Sequence, residues 1–232
     1  MKANKARLLK LTGLSNELFE TIRYEMKLFF IRFGSKFNPF KINRIKKIGS
    51  QGNLYLNIGA GPFGEEGWVN IDADMLKNIS FTYDCRKKIP FKSASVEVIR
   101  CEHVVEHMDR EYEAIPFLKE CLRVLKPGGV VRIIVPDIEK FIAAYYKHDW
   151  SIVGIDDKFS EEWGEADLMT RTFRQGGEHK FGYDFVAMSH LLKRVGFSII
   201  NREEFGVSSN PLLVNDQKNH KPYSLYVEGI KA

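Results

Sequence analysis

The chain has 232 residues, 44% of them hydrophobic and 28% charged, with a net charge of +5; this fits one well-buried domain with an appendage and excludes fibrous, low-complexity and disordered classes. No run reaches the roughly 20 apolar residues of a membrane-spanning helix, because Glu25, Lys27 and Arg32 interrupt the most apolar region. Three widely spaced cysteines, Cys85, Cys101 and Cys121, and a start, MKANKARLLK, that lacks the apolar core of a signal peptide point to a reducing, cytoplasmic setting.

Residues 1–50 hold 12 Lys and Arg against 3 Glu, a net of +9, which leaves 5 − 9 = −4 for the remainder. Within them, ELFETIRYEMKLFFIRFG spaces Leu18, Ile22, Met26, Phe29, Phe30 and Phe33 as an amphipathic helix does. Such a basic helix either covers its own domain or meets anionic lipid, nucleic acid or a partner. Residues 1–48 therefore read as a basic helical extension and 49–232 as the main domain. From there, apolar strands at 54–58, 69–71, 96–101, 130–135, 197–205 and 224–229 alternate with helical segments at 103–108, 112–124, 138–146 and 185–195. That alternation predicts a mostly parallel sheet covered by helices. KPGG at 126–129 is a helix stop and turn, and the polar stretch 148–183 reads as a substrate lid.

The stretch LNIGAGPFGEEGWVNIDAD carries G-x-G-x-x-G at Gly59, Gly61 and Gly64, with Asp72 only 13 positions after Gly59. A dinucleotide site places its acidic residue about 20 positions on. Only ten residues, 59–68, separate the first two strands, where a parallel crossover ordinarily needs about a dozen. The first crossover helix is thus expected to shrink to a loop or single turn at 62–67, with Gly64 a turn residue and Trp68 packed in the helix's place.

LNIGAGPFGEEGWVNIDAD, YDCRKKIPFKSASVEVIRCEHVVEHM and ECLRVLKPGGVVRIIVPD, in that order, resemble the class I S-adenosylmethionine-dependent methyltransferases, in the branch with a glycine loop, an EH helix and an LKPGG turn. The resemblance runs from about residue 54 to the C-terminus. It implies an α/β, Rossmann-like sheet, mostly parallel with an antiparallel last strand, and S-adenosylmethionine as methyl donor. Residue by residue, it implies Gly59, Ala60 and Gly61 against the methionine part of the donor. Asp72, followed by Ala73, falls at the ribose hydroxyls, with Asp74 as the substitute. Asp84 with Cys85 or Arg86 falls at the adenine, and Cys101 and Glu102 complete the donor site.

CEHVVEH, at 101–107, lacks the Asn-Pro-Pro-Tyr and Pro-Cys motifs of nitrogen and cytosine-carbon methylation. An oxygen acceptor remains, on a sugar, a glycan or another hydroxylated small molecule, with RNA ribose 2′-hydroxyl as the alternative. His103, Glu106 and His107 stand at i, i+3 and i+4, one face of a helix. The pattern is similar to the Glu-x-x-Glu-His by which small-RNA 2′-O-methyltransferases bind a divalent ion, with His179 as a fourth ligand. A metal-free site would use His103, His107 or His179 as general base. The same residues match the H-x-x-E-H of zinc peptidases, and a non-catalytic cofactor-binding scaffold is the other reading. Downstream of the hinge glycines Gly176 and Gly177, His179, Lys180 and Tyr183 are candidates to face the acceptor. Arg171 and Arg174 suit a phosphate or carboxylate, and Trp150 and Trp163 either stack on a sugar or anchor the lid. Oligomeric state is left open.

Overall fold

The computed structural model describes residues 9–156 and 163–232; the parts of the extension at 1–8 and of the lid at 157–162 lie outside the described residues. Strands β1 (Leu54–Ile58), β2 (Val69–Asp72), β3 (Phe81–Thr82), β4 (Val96–Glu102), β5 (Leu125–Pro136), β6 (Ile199–Glu203) and β7 (Ser224–Ile230) form one sheet in the order β3-β2-β1-β4-β5-β7-β6. The first five pair parallel, and β7 runs antiparallel between β5 and β6. This is the expected Rossmann-like sheet with its antiparallel last strand. Only the two-residue β3 has no counterpart among the expected strands. The pairing of β4 with β5 jumps from Val96–Leu125 to Val98–Val130, so KPGG loops out of the edge of an otherwise continuous β5.

Side chains alternate across the pleat. Leu54, Leu56 and Ile58 of β1 share one buried face with Ile99, Cys101, Ile133, Val135, Leu225 and Val227. Helices α3 (Ile115–Val124) and α6 (Phe185–Val195) cover it through Phe117, Leu118, Cys121, Leu191 and Leu192. The helix expected at 112–124 begins with a widened turn over Arg110–Ala114, in which Ala114 N–H donates five residues back to the Asp109 carbonyl.

The opposite sheet face is polar yet buried: Asn57, Arg100, Arg132 and Glu228 are each less than 5% exposed. No helix covers it at the first crossover, where 59–68 forms the expected irregular loop. Trp68 packs there on Tyr55, and the Arg100 guanidinium lies 5.0 Å over the indole. Arg100 also pairs with Glu65. Arg132 is held by Asp216 at 2.6 Å and Glu228 at 2.9 Å, all fully buried. Gly64 differs from its expected turn role: it has no left-handed φ, and a Cβ on it would stand 3.0 Å from Asn78 and 3.1 Å from Asn70. It is a packing glycine, and the left-handed turn belongs to Gly67 (φ +80°).

The extension forms α1 (Asn16–Phe37) and α2 (Pro39–Gly49). Ser15 accepts from Leu18 N–H at the start of α1, and Asn38 accepts from Phe40 and Lys41 N–H at the start of α2. Leu28 and Ile45 are the residues these helices bury. The apolar stripe that the sequence offers as a core face points outward instead, with Phe29, Phe30 and Phe33 more than half exposed. Helices α4 (Ile138–Lys147) and α5 (Glu165–Arg174) enclose a satellite core of Phe141, Ala144, Trp150, Val153 and Leu168. Trp150, 5% exposed, therefore anchors this segment. No helix among the described residues is long and apolar enough to cross a membrane.

Candidate active site

In an open α/β sheet, ligands bind beyond the carboxyl ends of the strands where strand order reverses; here that point lies between β1 and β4. A cavity of about 510 Å³ opens there, within the range of small-molecule sites. Gly59, Asp72 and Ala73 form one wall, Asp84, Cys85 and Arg86 a second, and His103, Val104 and His107 a third. The fourth wall is α1, through Tyr24, Glu25, Lys27 and Leu28.

Gly59 has φ +71°, and a Cβ there would come 2.1 Å from Val104 Cγ2. Only glycine lets β1 turn this closely beneath the segment after β4. Asp72 Oδ2 accepts from Gly61 N–H and Oδ1 from Asp74 N–H, both at 2.8 Å. Its carboxylate is thereby aimed from the tip of β2 with lone pairs to spare. Asp74 pairs instead with Lys27 of α1 at 2.9 Å. Asp84, 3% exposed, accepts from Arg32 of α1 at 2.8 Å and from Arg86 at 3.1 Å. Burial alone would raise its pKa, but the Arg86 and Arg32 guanidiniums outweigh it and hold the carboxyl below the usual range. Burial pushes the Tyr24 phenol up to about 12, so it faces the cavity as a neutral hydroxyl.

The expected helix at 103–108 does not form. His103 has φ +53° and still donates its N–H to the Ile134 carbonyl at 2.8 Å, so the chain follows β5 for one residue more before a single tight turn, Val105–His107. The three side chains consequently do not share a helical face. One ligand atom from each of Glu106, His107 and His179 fall within 4.8 Å of one another, and His103 joins Glu102 and His220 in a separate group. His220 Nδ1 lies 2.8 Å from Glu102 Oε1, and its ring centroid 4.2 Å from that of His103.

Each imidazole is fixed by what its nitrogens meet. His103 Nδ1 lies 2.9 Å from the buried Glu106 Oε1 and its Nε2 3.2 Å from Ser224 Oγ, so both nitrogens are engaged. His107 Nδ1 lies 3.2 Å from the Glu178 carbonyl, and His179 Nδ1 2.7 Å from that of Thr172. A carbonyl only accepts, so in each neutral ring Nδ1 carries the proton and Nε2 the lone pair. Burial holds His179 below the usual histidine range, which keeps that lone pair available at neutral pH. His107 Nε2 stands 4.0 Å from Glu106 Oε1, while Glu106 Oε2 is buried without a hydrogen-bond partner among the described residues.

Residues 69–133 match the family model described as a methyltransferase domain. That match, from β2 to most of β5, supports a class I S-adenosylmethionine-dependent methyltransferase. A search of curated proteins by sequence gives no match. Among solved structures, the chain resembles a possible exported protein from Bordetella parapertussis at 12% identity over 82% of this chain and 66% of that one, with a TM-score of 0.50. A S-adenosylmethionine-dependent methyltransferase from Archaeoglobus fulgidus has 16% identity over 87% and 99%, TM-score 0.47. The phosphoethanolamine N-methyltransferase 2 of Haemonchus contortus, solved with S-adenosylmethionine, has 15% identity over 82% and 51%, TM-score 0.43.

Of the residues read from the sequence as donor ligands, Gly59, Asp72, Ala73, Asp84 and Cys85 line the cavity. Ala60 and Gly61 lie just behind it, Gly61 tied to Asp72. Cys101 is fully buried because β4's alternation turns it into the helix-covered core, and Glu102 points to the other face and pairs with His220; neither reaches the cavity wall. Tyr183 is fully buried and does not face an acceptor, whereas Lys180 lines the cavity and pairs with Glu113 at 2.8 Å. Arg174 pairs with Glu17 of α1, and Arg171 lies 4.5 Å over Trp163. The sequence reading did not find His220, Ser224, Tyr24 or Arg32. The only signal for the last two was the set of polar residues interrupting the apolar run of α1.

Proposed function

We propose that the methyltransferase acts on a hydroxyl oxygen of a sugar or another polyhydroxylated small molecule, with His107 as the base. The observation that carries this reading is His107: its ring lines the cavity, its Nδ1 is held by the Glu178 carbonyl, and its Nε2 makes no hydrogen bond among the described residues. An alcohol must lose its proton as it is alkylated, and an imidazole with a free nitrogen beside the acceptor is suited to take it. When bound, S-adenosylmethionine supplies an electrophilic methyl group. Gly59 would leave its backbone open to the donor, Asp72 would accept from the ribose hydroxyls, and Tyr24 and Leu28 of α1 would wall the cavity beside them. As the oxygen–carbon bond forms and the carbon–sulfur bond breaks, the hydroxyl proton passes to His107 Nε2, and the Glu106 carboxylate stabilises the imidazolium. His103, clasped between Glu106 and Ser224, positions that carboxylate. The unpaired thiols of Cys85, Cys101 and Cys121 fit a reducing, cytoplasmic compartment.

The test is methyl transfer from labelled S-adenosylmethionine into nucleotide-sugar, glycan and RNA pools by wild type, His103→Gln and His107→Gln. His107→Gln is expected to lower kcat by about 10²–10⁴-fold with donor affinity unchanged. Full activity in that variant would sink the base assignment, and label only in RNA would make ribose the acceptor.

The unpartnered Glu106 Oε2 favours a second reading of the same residues. A buried carboxylate oxygen without a donor is costly and invites a cation, and one ligand atom from each of His107 and His179 lies within 4.8 Å of a Glu106 carboxylate oxygen. Glu106, His107 and His179 would hold a divalent ion, manganese, iron or zinc rather than magnesium given the two imidazoles, which would lower the pKa of an acceptor hydroxyl. His103 is outside this set. Metal analysis of purified protein and activity in chelator decide it: no bound metal together with full activity in chelator removes the metal.

A further inference from the structure

We propose that α1 and the start of α2 dock on an anionic lipid bilayer, through the face of α1 opposite the cavity. Leu18, Ile22, Phe29, Phe30, Phe33 and Phe37 are between 43% and 63% exposed. At 3.6 residues per turn these six fall within an arc of about 120° running the length of the helix. Leu28, 1% exposed, faces the body from the opposite side, and Tyr24 on that side lines the cavity. One helix therefore carries a cavity wall on one side and an unbroken apolar stripe on the other. Phe40, 85% exposed, continues the stripe into α2.

The charge beside the stripe selects the occupant. Lys36, Arg44, Lys46 and Lys47 are exposed, and the net charge over residues 1–50 is +9 while the rest of the chain is −4. An apolar, aromatic-rich face edged by Lys and Arg is the pattern that settles into the headgroup region of anionic membranes. A second copy docking by the same face would bring two such basic edges together, because a two-fold interface repeats every charge against its own image. Peripheral attachment also agrees with the absence, among the described residues, of any helix able to cross a bilayer.

Docking this way sets the cavity one helix thickness from the lipid surface, so that an acceptor hydroxyl carried on a lipid head group is met where α1 meets the membrane. That consequence rests on the oxygen-acceptor reading; the docking does not, and vesicle binding is measured without turnover.

The experiment is cosedimentation of the full chain with sucrose-loaded vesicles of phosphatidylcholine alone and of phosphatidylcholine with phosphatidylglycerol, at low and high salt, alongside light scattering of the free protein. Binding to the mixed vesicles is expected to exceed binding to the neutral ones about tenfold or more, since each Lys or Arg near the surface adds roughly fivefold, and to weaken with salt. Phe29→Ser/Phe33→Ser and Lys36→Gln/Lys46→Gln/Lys47→Gln are each expected to lose most of it while retaining the wild-type circular dichroism and donor affinity. Equal, negligible sedimentation with both vesicles would overturn the proposal. So would a stable dimer in solution that Phe29→Ser/Phe33→Ser dissociates.

Discussion

Gly59→Ala isolates the contact on which the cavity's geometry depends. The substitution forces an L side chain to φ +71°, which costs about 1–2 kcal/mol. It also drives the new Cβ to 2.1 Å from Val104 Cγ2 and 3.5 Å from Val104 Cβ. Overpacking of that kind adds about 1–3 kcal/mol, so the total is roughly 2–5 kcal/mol. For a chain of this size each kcal/mol lowers Tm by about 2–4 °C, which places the melting point on the order of 4–20 °C lower. Val104 directly follows His103, so relief of the clash must shift the turn that carries His103 and His107, and donor affinity should fall with stability. Gly61→Ala serves as the control: φ is +49° but no atom lies within 4 Å of the added Cβ, so only the backbone cost applies. In Gly59→Ala/Val104→Ala, measured as a cycle with both single variants, the overlap disappears and the backbone cost remains. Thermal denaturation with S-adenosylmethionine titration reads all four. A Gly59→Ala melting point within 1 °C of wild type, or no coupling to Val104→Ala, would refute the close-approach argument.

Arg132→Met strands Asp216 and Glu228 as buried, unpaired carboxylates, which should cost about 3–5 kcal/mol in urea denaturation; Arg132→Met with Asp216→Asn and Glu228→Gln should recover most of it, and a loss under 1 kcal/mol would contradict the buried network. His179 gives a pH signature. Burial holds its folded pKa below the ordinary value of about 6.5, so above pH 6.5 the ring is neutral in both states and contributes nothing. As pH falls below 6.5 the unfolded chain takes the proton first, and stability declines until the folded pKa is passed. The slope of Tm over this interval should flatten in His179→Gln, and an unchanged slope would show that the ring does not titrate as its burial implies.

Much of the sheet could be read from the chain because its strands are apolar on at least one pleat face and are punctuated by glycine and proline. Helix α6 matched to the residue, since Asp184 caps it through Ala187 N–H and Gly196, at φ +114°, stops it. The segment after β4 failed for the opposite reason. CEHVVEH has helical spacing and no breaker, and its left-handed His103 is imposed by the hydrogen bond to Ile134 on the neighbouring strand, which no local pattern encodes. Arg100 and Arg132 stand in mid-strand, a place where charged side chains ordinarily face solvent. They are buried because Glu65 and Asp216, 35 and 84 positions away, close over them. The orientation of α1 stayed open in the sequence because an amphipathic stripe marks an apolar face without saying what covers it. The body it lies on is the rim of an acidic cavity, and Lys27, Arg32 and Glu25 meet Asp74, Asp84 and Arg86 there.

The central claim is that the donor sits at the carboxyl ends of β1 and β2 with its ribose on Asp72, and calorimetric titration of S-adenosylmethionine into wild type and Asp72→Ala tests it most directly. Hydrogen bonds to a charged carboxylate contribute about 1.5–3 kcal/mol, so the account predicts one donor per chain in the wild type and an affinity roughly 10–150-fold weaker in the variant. Equal affinity in the two proteins would contradict it.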